Sequence, residues 1–197
     1  MTNELRVYFS FRSPYSRLGL HKIRLGGFEK KVPVRIIPFV SMAEGVPFFD
    51  PMSSPPKMAY YMEDAPRMTQ RLGLPMRPPA PFEVSLTRAN KAFIAADNSG
   101  KGLEYAIAVS DARWGKGRNI SDMTVLAACA EEVGLPADMP RQAKADAAIA
   151  SALEKCAEQS AADQVFGVPF VVLEADGSTQ KFWGQDRFDL LPEVISA

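Results

Sequence analysis

The sequence is poor in metal-binding and redox-capable side chains: of 197 residues, one is histidine and two are cysteine. A single histidine, His21, excludes a zinc site of the usual Cys/His type and leaves little from which to build a Ser-His-Asp triad. His21 falls among charged residues on a predicted helix and is expected on the surface. Cys129 and Cys156 form no CxxC pair and have no histidine at ligand spacing. Both fall in alanine-rich stretches that read as helix, which predicts buried, unreactive thiols. Net charge is lacking too. Lys plus Arg and Asp plus Glu each number 23, so no strong field draws the chain to nucleic acid or to an anionic membrane. Residues 1–35 hold eight Lys/Arg against two Asp/Glu, but dispersed, as on a solvated face. No apolar run approaches the ~20 residues that span a bilayer. Met1-Thr2-Asn3-Glu4 shows no signal-peptide pattern, so a reduced, cytoplasmic setting is expected.

What is present is ordinary globular material. A chain of this size buries roughly 70% of its unfolded surface, enough for a core without a disulfide or metal staple. Leu5 to Phe11 reads as a partly buried strand. Ser13-Pro14 then opens a helix that Gly26-Gly27 stops, since serine is a preferred N-cap and proline is tolerated at the first helical position. Val32 to Phe39 is a second strand, set parallel to the first by a right-handed crossover. Eleven of the sixteen prolines lie between Pro33 and Pro81, so that region is expected as loops around one helix, Lys57 to Leu72. Further helices are predicted over Ser85–Asp97, Leu103–Arg113, Ser121–Val133 and Arg141–Asp163. Phe170–Leu173 and Thr179–Trp183 flank Asp176-Gly177, a strong hairpin signal. A short helix follows from Gln185, disturbed at Pro192. The order is β-α-β, a helical block, then β-β-α. This is an α/β fold in which residues 1–50 and 164–197 share one sheet and residues 51–163 form an inserted all-helical domain.

Three places carry possible chemistry. Ser13-Pro14-Tyr15-Ser16 caps a helix, and the free N–H groups and dipole at such a terminus favour a negative charge; the alternative is plain capping. Pro169 in Gly167-Val168-Pro169 is either the first residue of a strand or a cis-proline that turns the Val168 backbone outward. In Phe182-Trp183-Gly184-Gln185-Asp186-Arg187, the Asp186 carboxylate either stabilises its own helix or binds an ammonium group.

Taken together and in this order, these features resemble the DsbA-like branch of the thioredoxin superfamily, with Ser13-Pro14-Tyr15-Ser16 in the place of a C-P-x-C motif. With both cysteines absent there is no attacking thiolate, which excludes dithiol exchange. A serine at that place is similar to the 2-hydroxychromene-2-carboxylate isomerases and the related kappa-class glutathione transferases. The residues that carry the likeness are Tyr8 to Ser16, Lys57-Met58-Ala59-Tyr60 with Asp64, Gly167 to Phe170, and Phe182 to Arg187.

The resemblance implies a thioredoxin-like domain with the helical insertion, a homodimer, and a glutathione site. Ser13 would hydrogen-bond the glutathione sulfur and lower its pKa. Val168, before Pro169, would pair with the cysteinyl backbone, Gln185 and Asp186 would hold the γ-glutamyl end, and Lys57 would meet the glycyl carboxylate. The other reading of Lys57 is a solvent-facing helix lysine. The chain departs from the family pattern in three places. Ser53-Ser54-Pro55-Pro56 stands where an asparagine-bearing loop is common, Arg17 where an aromatic is frequent, and Ser10 where aspartate is usual. Arg17 and Ser10 are expected close to Ser13, where they bear on the identity of the second substrate. Six of nine methionines (Met42, Met52, Met58, Met62, Met68, Met76) cluster with Phe48, Phe49, Tyr60 and Tyr61, either as packing between the domains or as an aromatic-substrate pocket. The expected function is glutathione-dependent isomerisation of 2-hydroxychromene-2-carboxylate or a related small aromatic substrate. The alternatives are a kappa-class-like transferase or peroxidase, and a non-catalytic DsbA-like binding protein.

Overall fold

A computed structural model describes residues 3–41 and 53–196. Met42, Phe48, Phe49 and Met52 of the predicted methionine-aromatic cluster lie outside the described residues. Strand β1 (Glu4–Phe9) is the hub of the sheet. On one side it pairs parallel with β2 (Val34–Pro38), Val7 opposite Ile36. On the other it pairs antiparallel with β3 (Phe170–Ala175), Val7 opposite Val171. β4 (Ser178–Trp183) pairs antiparallel with β3 and completes the order β2-β1-β3-β4. The expected hairpin forms at Asp176-Gly177, where φ values of 50° and 78° give the twist that a two-residue turn requires.

β1 was expected to be partly buried, but Leu5 to Phe9 are all buried because both faces of the sheet are covered. Leu5, Val7 and Phe9 join the main core with Leu20, Ile23 and Phe93. The opposite face packs Tyr8 against Ile37, Val165, Phe170 and Val172.

Helix α1 (Pro14–Gly26) starts at the N-cap Ser13 and stops at Gly27, whose φ of 57° only glycine adopts without cost. The described helices between β2 and β3 are α2 (Pro55–Arg71), α3 (Thr87–Asn98), α4 (Gly102–Ser110), α5 (Met123–Glu132), α6 (Met139–Ala145) and α7 (Ala147–Ala162). Two boundaries differ from expectation. The helix expected through Arg113 ends at Ser110 and widens into a π turn, Asp111–Gly115. The single helix expected over 141–163 is two, because Asp146 takes an extended backbone and caps α7 by accepting from the N–H groups of Ala148 and Ile149. Capping outweighs alanine's helix propensity at that one residue. After β4 comes a 3-10 turn, Arg187–Leu190, and then α8 (Leu191–Ser196). Pro192 does not disturb this helix, since it sits in the first turn where no N–H partner is needed.

Two sequence expectations on α1 are corrected. Arg17 is 1% exposed and does not line the cleft that Ser13 lines: its Nε donates to Asp111 at 2.6 Å and its Nη1 to the Pro75 carbonyl at 2.7 Å. His21 is half-buried rather than on the surface, with Nε2 2.9 Å from the same Asp111 carboxylate oxygen. The cause is helical geometry. Arg17 and His21 are one turn apart and share the face of α1 that meets the end of α4. Cys129 is buried on α5 as expected, whereas Cys156 on α7 is only half-buried.

Candidate active site

Ser13 sits at the turn from β1 into α1 with extended backbone, φ −97° and ψ 119°. Its Oγ accepts from the Ser16 N–H at 3.1 Å, and Ser16 Oγ accepts in turn from the Ser10 N–H at 3.1 Å. The two serines brace the turn, and the amide end of α1 opens onto a cleft of about 950 Å³. Such an end carries unpaired N–H groups and a partial positive charge.

The wall opposite Ser13 is the entry to β3. The Val168–Pro169 peptide is cis, which settles the two readings of Pro169. The β3–β4 ladder starts at Phe170, so Val168 stands outside it at the cleft. α1 comes very close here: a Cβ on Gly19 would lie 2.8 Å from the Phe188 ring and 3.1 Å from Pro169. The chain leaving β4 returns to the same place. Gly184 N–H donates to the Pro169 carbonyl at 3.0 Å, with a φ of 95° that glycine alone tolerates well. Gln185 follows, 5% exposed, its Oε1 buried with no protein partner among the described residues. Lys22 on α1 holds this turn by donating to the Gln185 carbonyl at 2.9 Å and to Asp189 at 2.7 Å. Asp186 does not cap a helix through its side chain. It is exposed, 2.7 Å from Arg187 Nη1, and lines the cleft.

The third wall is α2. Lys57, Tyr61, Asp64 and Met68 line the cleft at steps of four, three and four, one face of a helix. Lys57 is exposed on the first turn of α2. Tyr15, two residues past Ser13, donates to Asp64 Oδ2 at 2.6 Å, and Arg67 Nη1 donates to the other oxygen at 3.0 Å. The far end is aromatic. Phe82 and Trp114 pack edge to face at 5.9 Å, and Trp114 Nε1 is fixed on the Phe11 carbonyl at 3.0 Å. Arg12 and Glu83 pair at 2.9 Å beside them.

All the residues singled out from sequence (Ser13, Lys57, Val168, Pro169, Gln185 and Asp186) therefore line one cleft, and so does Ser10. Of the methionine cluster, Met58 and Met68 line it with Tyr60 and Tyr61, while Met62 is exposed. Sequence reasoning named Tyr61 only within the methionine-aromatic cluster, and it missed Tyr15 and Trp114 as cleft residues. The helical stripe through Lys57 and Asp64 was a signal for Tyr61. Trp114 had none, because a π turn carries it into the cleft. Among the described residues, no cluster of three or more His, Cys, Asp or Glu is arranged to hold a metal, and no helix is long and apolar enough to cross a membrane.

The model of a DSBA-like thioredoxin domain matches residues 4–196. This chain belongs to the DSBA-like thioredoxin family. Within that family it is 30% identical over 200 residues to a 2-hydroxychromene-2-carboxylate isomerase of Sphingobium xenophagum, covering 99% of each chain. A solved 2-hydroxychromene-2-carboxylate isomerase superposes with a TM-score of 0.74 at 20% identity, covering 98% of this chain and 94% of that one. The cytosolic disulfide reductase DsbM from Pseudomonas aeruginosa, solved with GSH, gives 0.70 at 15% identity over 98% and 100%. At such identities the structural likeness is one of fold: a four-stranded mixed sheet with its helical insertion, as the DSBA-like pattern predicted.

Proposed function

We propose that this protein is a glutathione-dependent isomerase of 2-hydroxychromene-2-carboxylate or a related aromatic-degradation intermediate. The observation that carries the reading is the convergence on one cleft of the Ser13 helix cap, the backbone before a cis-proline, and the buried Gln185. The identity to an isomerase over nearly the whole chain supports the reaction class. The donor set fits glutathione. Gln185 Oε1 is a buried acceptor awaiting a donor, and a peptide amide or ammonium provides one.

Bound there, glutathione supplies a thiolate nucleophile that adds reversibly to a conjugated carbon and is released unchanged. The protein's part is to keep that sulfur deprotonated and in place. Ser13 donates its hydroxyl proton to the sulfur, and the amide end of α1 favours the negative charge. Val168 offers its backbone to the extended peptide, Asp186 meets the ammonium, and Lys57 meets the glycyl carboxylate as a point charge. The aromatic end around Phe82 and Trp114 seats a flat ring beside the sulfur.

Calorimetric titration with glutathione tests this. The wild type gives a binding isotherm at millimolar concentration or below. Asp186→Ala weakens it about tenfold, the size of one charge-assisted contact. Ser13→Ala keeps the affinity within a few fold but raises the bound thiol's pKa by about one unit. No heat in the wild type sinks the proposal. Thiol consumed in step with product would replace isomerisation by conjugation, as in a glutathione transferase.

A further inference from the structure

The aromatic end of the cleft carries charge that the glutathione contacts do not use. Arg12 and Glu83 line the cleft with Phe82 and Trp114, and Arg12 Nη2 donates to Glu83 Oε1 at 2.9 Å. Arg12 directly precedes Ser13, on a turn where its own N–H donates to Ser10 Oγ at 3.2 Å. Glu83 directly follows Phe82. The pair therefore joins the turn that bears Ser13 to the loop that bears the aromatic wall. Behind the rings lies a second guanidinium. Arg113 is 1% exposed, with Cζ 5.2 Å from the Trp114 ring centroid and Nη2 donating to the Phe82 carbonyl at 2.5 Å. Its Nε and Nη1 have no hydrogen-bond partner among the described residues. The neighbouring carboxylates are engaged elsewhere: Asp111 on the same π turn by Arg17 and His21, Asp64 by Tyr15 and Arg67, and Asp186 by Arg187. Among the described residues, two guanidiniums thus flank the aromatic wall and one carboxylate, Glu83, answers them. The place where a flat ring sits is short of negative charge.

We propose that Arg12 is the specificity-determining residue for the aromatic substrate, taking the carboxylate of the entering ring in exchange for that of Glu83. A planar guanidinium matches a carboxylate in shape and charge. Both partners of the present pair are about half exposed, so little stability is lost when it opens. Arg113 stays behind the wall, and its desolvated charge favours an anion at the rings. The other two cations that line the cleft have other partners: Arg187 pairs with Asp186 at 2.7 Å, and Lys57 is given to the glycyl carboxylate. Because Arg12 and Ser13 are consecutive, an acid held on the first is presented beside a sulfur held on the second. This role rests on the isomerase reading for the sulfur, but on the cleft's own charges for the acid.

Two flat bicyclic probes of one shape separate charge from packing. These are 2-naphthoate and its neutral amide, 2-naphthamide, titrated by calorimetry at neutral pH without glutathione. The wild type is expected to bind the acid about tenfold more tightly than the amide. Arg12→Met is expected to weaken the acid about tenfold and to leave the amide within about twofold, which also shows that the variant's cleft is intact. Glu83→Gln removes the competing carboxylate and is expected to tighten the acid about threefold. Arg187→Met removes a cleft arginine with the same kind of partner and is expected to leave the acid within about twofold. The inference is overturned by a wild type that binds the two probes alike or binds neither, or by an equal loss of both in Arg12→Met. It is overturned as well by an acid affinity in Glu83→Gln at or below that of the wild type, or by equal losses of the acid in Arg187→Met and Arg12→Met. Glutathione, titrated in parallel, reads the isomerase proposal separately, and Arg12→Met is expected to keep its Kd within about twofold. Absent glutathione binding with the preference for naphthoate intact sinks the isomerase reading and leaves Arg12 as the acid's partner. Glutathione weakened by Arg12→Met with naphthoate unmoved makes Arg12 a contact of the tripeptide and overturns the inference.

Discussion

Two buried arginines tie the sheet and α1 to the inserted helices, and they do so with unequal partners. Arg6, in the middle of β1, reaches three carboxylates: Asp163 beyond α7 at 2.7 and 2.9 Å, Glu174 at 2.6 Å and Glu4 at 2.9 Å. Tyr8 adds its hydroxyl to the same Asp163. Arg17 has one carboxylate, Asp111, which it shares with His21. Burial works against the Arg6 charge, yet its acidic partners hold its pKa above the ordinary value. A third arginine shows the opposite case. Arg113 is buried, its Nε and Nη1 have no hydrogen-bond partner among the described residues, and burial pushes its pKa down to about 10. Between Arg6 and Arg113 the comparison teaches that burial alone does not set the direction of a shift; carboxylates packed around Arg6 overcome it.

The largest break is expected from Arg6→Met. It leaves three carboxylates facing one another with Asp163 almost buried, and costs about 4 kcal/mol of unfolding free energy by urea titration. Arg17→Met is smaller, about 2 kcal/mol, because Asp111 keeps His21 and is a quarter exposed to water. Equal losses from the two substitutions would erase the distinction.

The smallest effect is in acid. Burial raises the Asp163 carboxyl, but hydrogen bonds from Arg6 and Tyr8 outweigh it and leave it below the ordinary range. Asp111 is likewise raised by burial and lowered further by His21 and Arg17. A carboxyl whose folded pKa is depressed contributes stability above its unfolded value, near 4, and loses it as pH falls through the folded value. Stability is therefore expected to fall by about 1 kcal/mol per such group below about pH 4. Asp163→Asn and Asp111→Asn should each flatten that acid limb in urea titrations at stepped pH. A limb unchanged in both would show that other carboxylates govern acid unfolding.

Local signals were legible where one residue decides a backbone: Ser13 as cap, Gly27 as stop, Asp176-Gly177 as turn. The boundary at Asp146 was hidden because a carboxylate cap and an alanine-rich run point to different structures and the cap won. Arg17 and His21 were misplaced for another reason. Nothing in their neighbourhood announces Asp111, which comes from a helix far along the chain. The site residues were legible through a family pattern of short motifs. The contacts that set Tyr15 on Asp64 and Trp114 on the Phe11 carbonyl were not, since each joins elements far apart in the chain.

The sequence by itself determined the order of strands and helices, the helix cap at Ser13 with no thiol beside it, and the candidate residues on three separate segments. These follow from local backbone preference and side-chain chemistry. Only the tertiary structure decided that Val168–Pro169 is cis, that the three segments face one cleft, and that Tyr61 lines that cleft with Ser13. Those depend on how α1, α2 and the entry to β3 pack around a shared core, and packing couples residues that the chain keeps far apart.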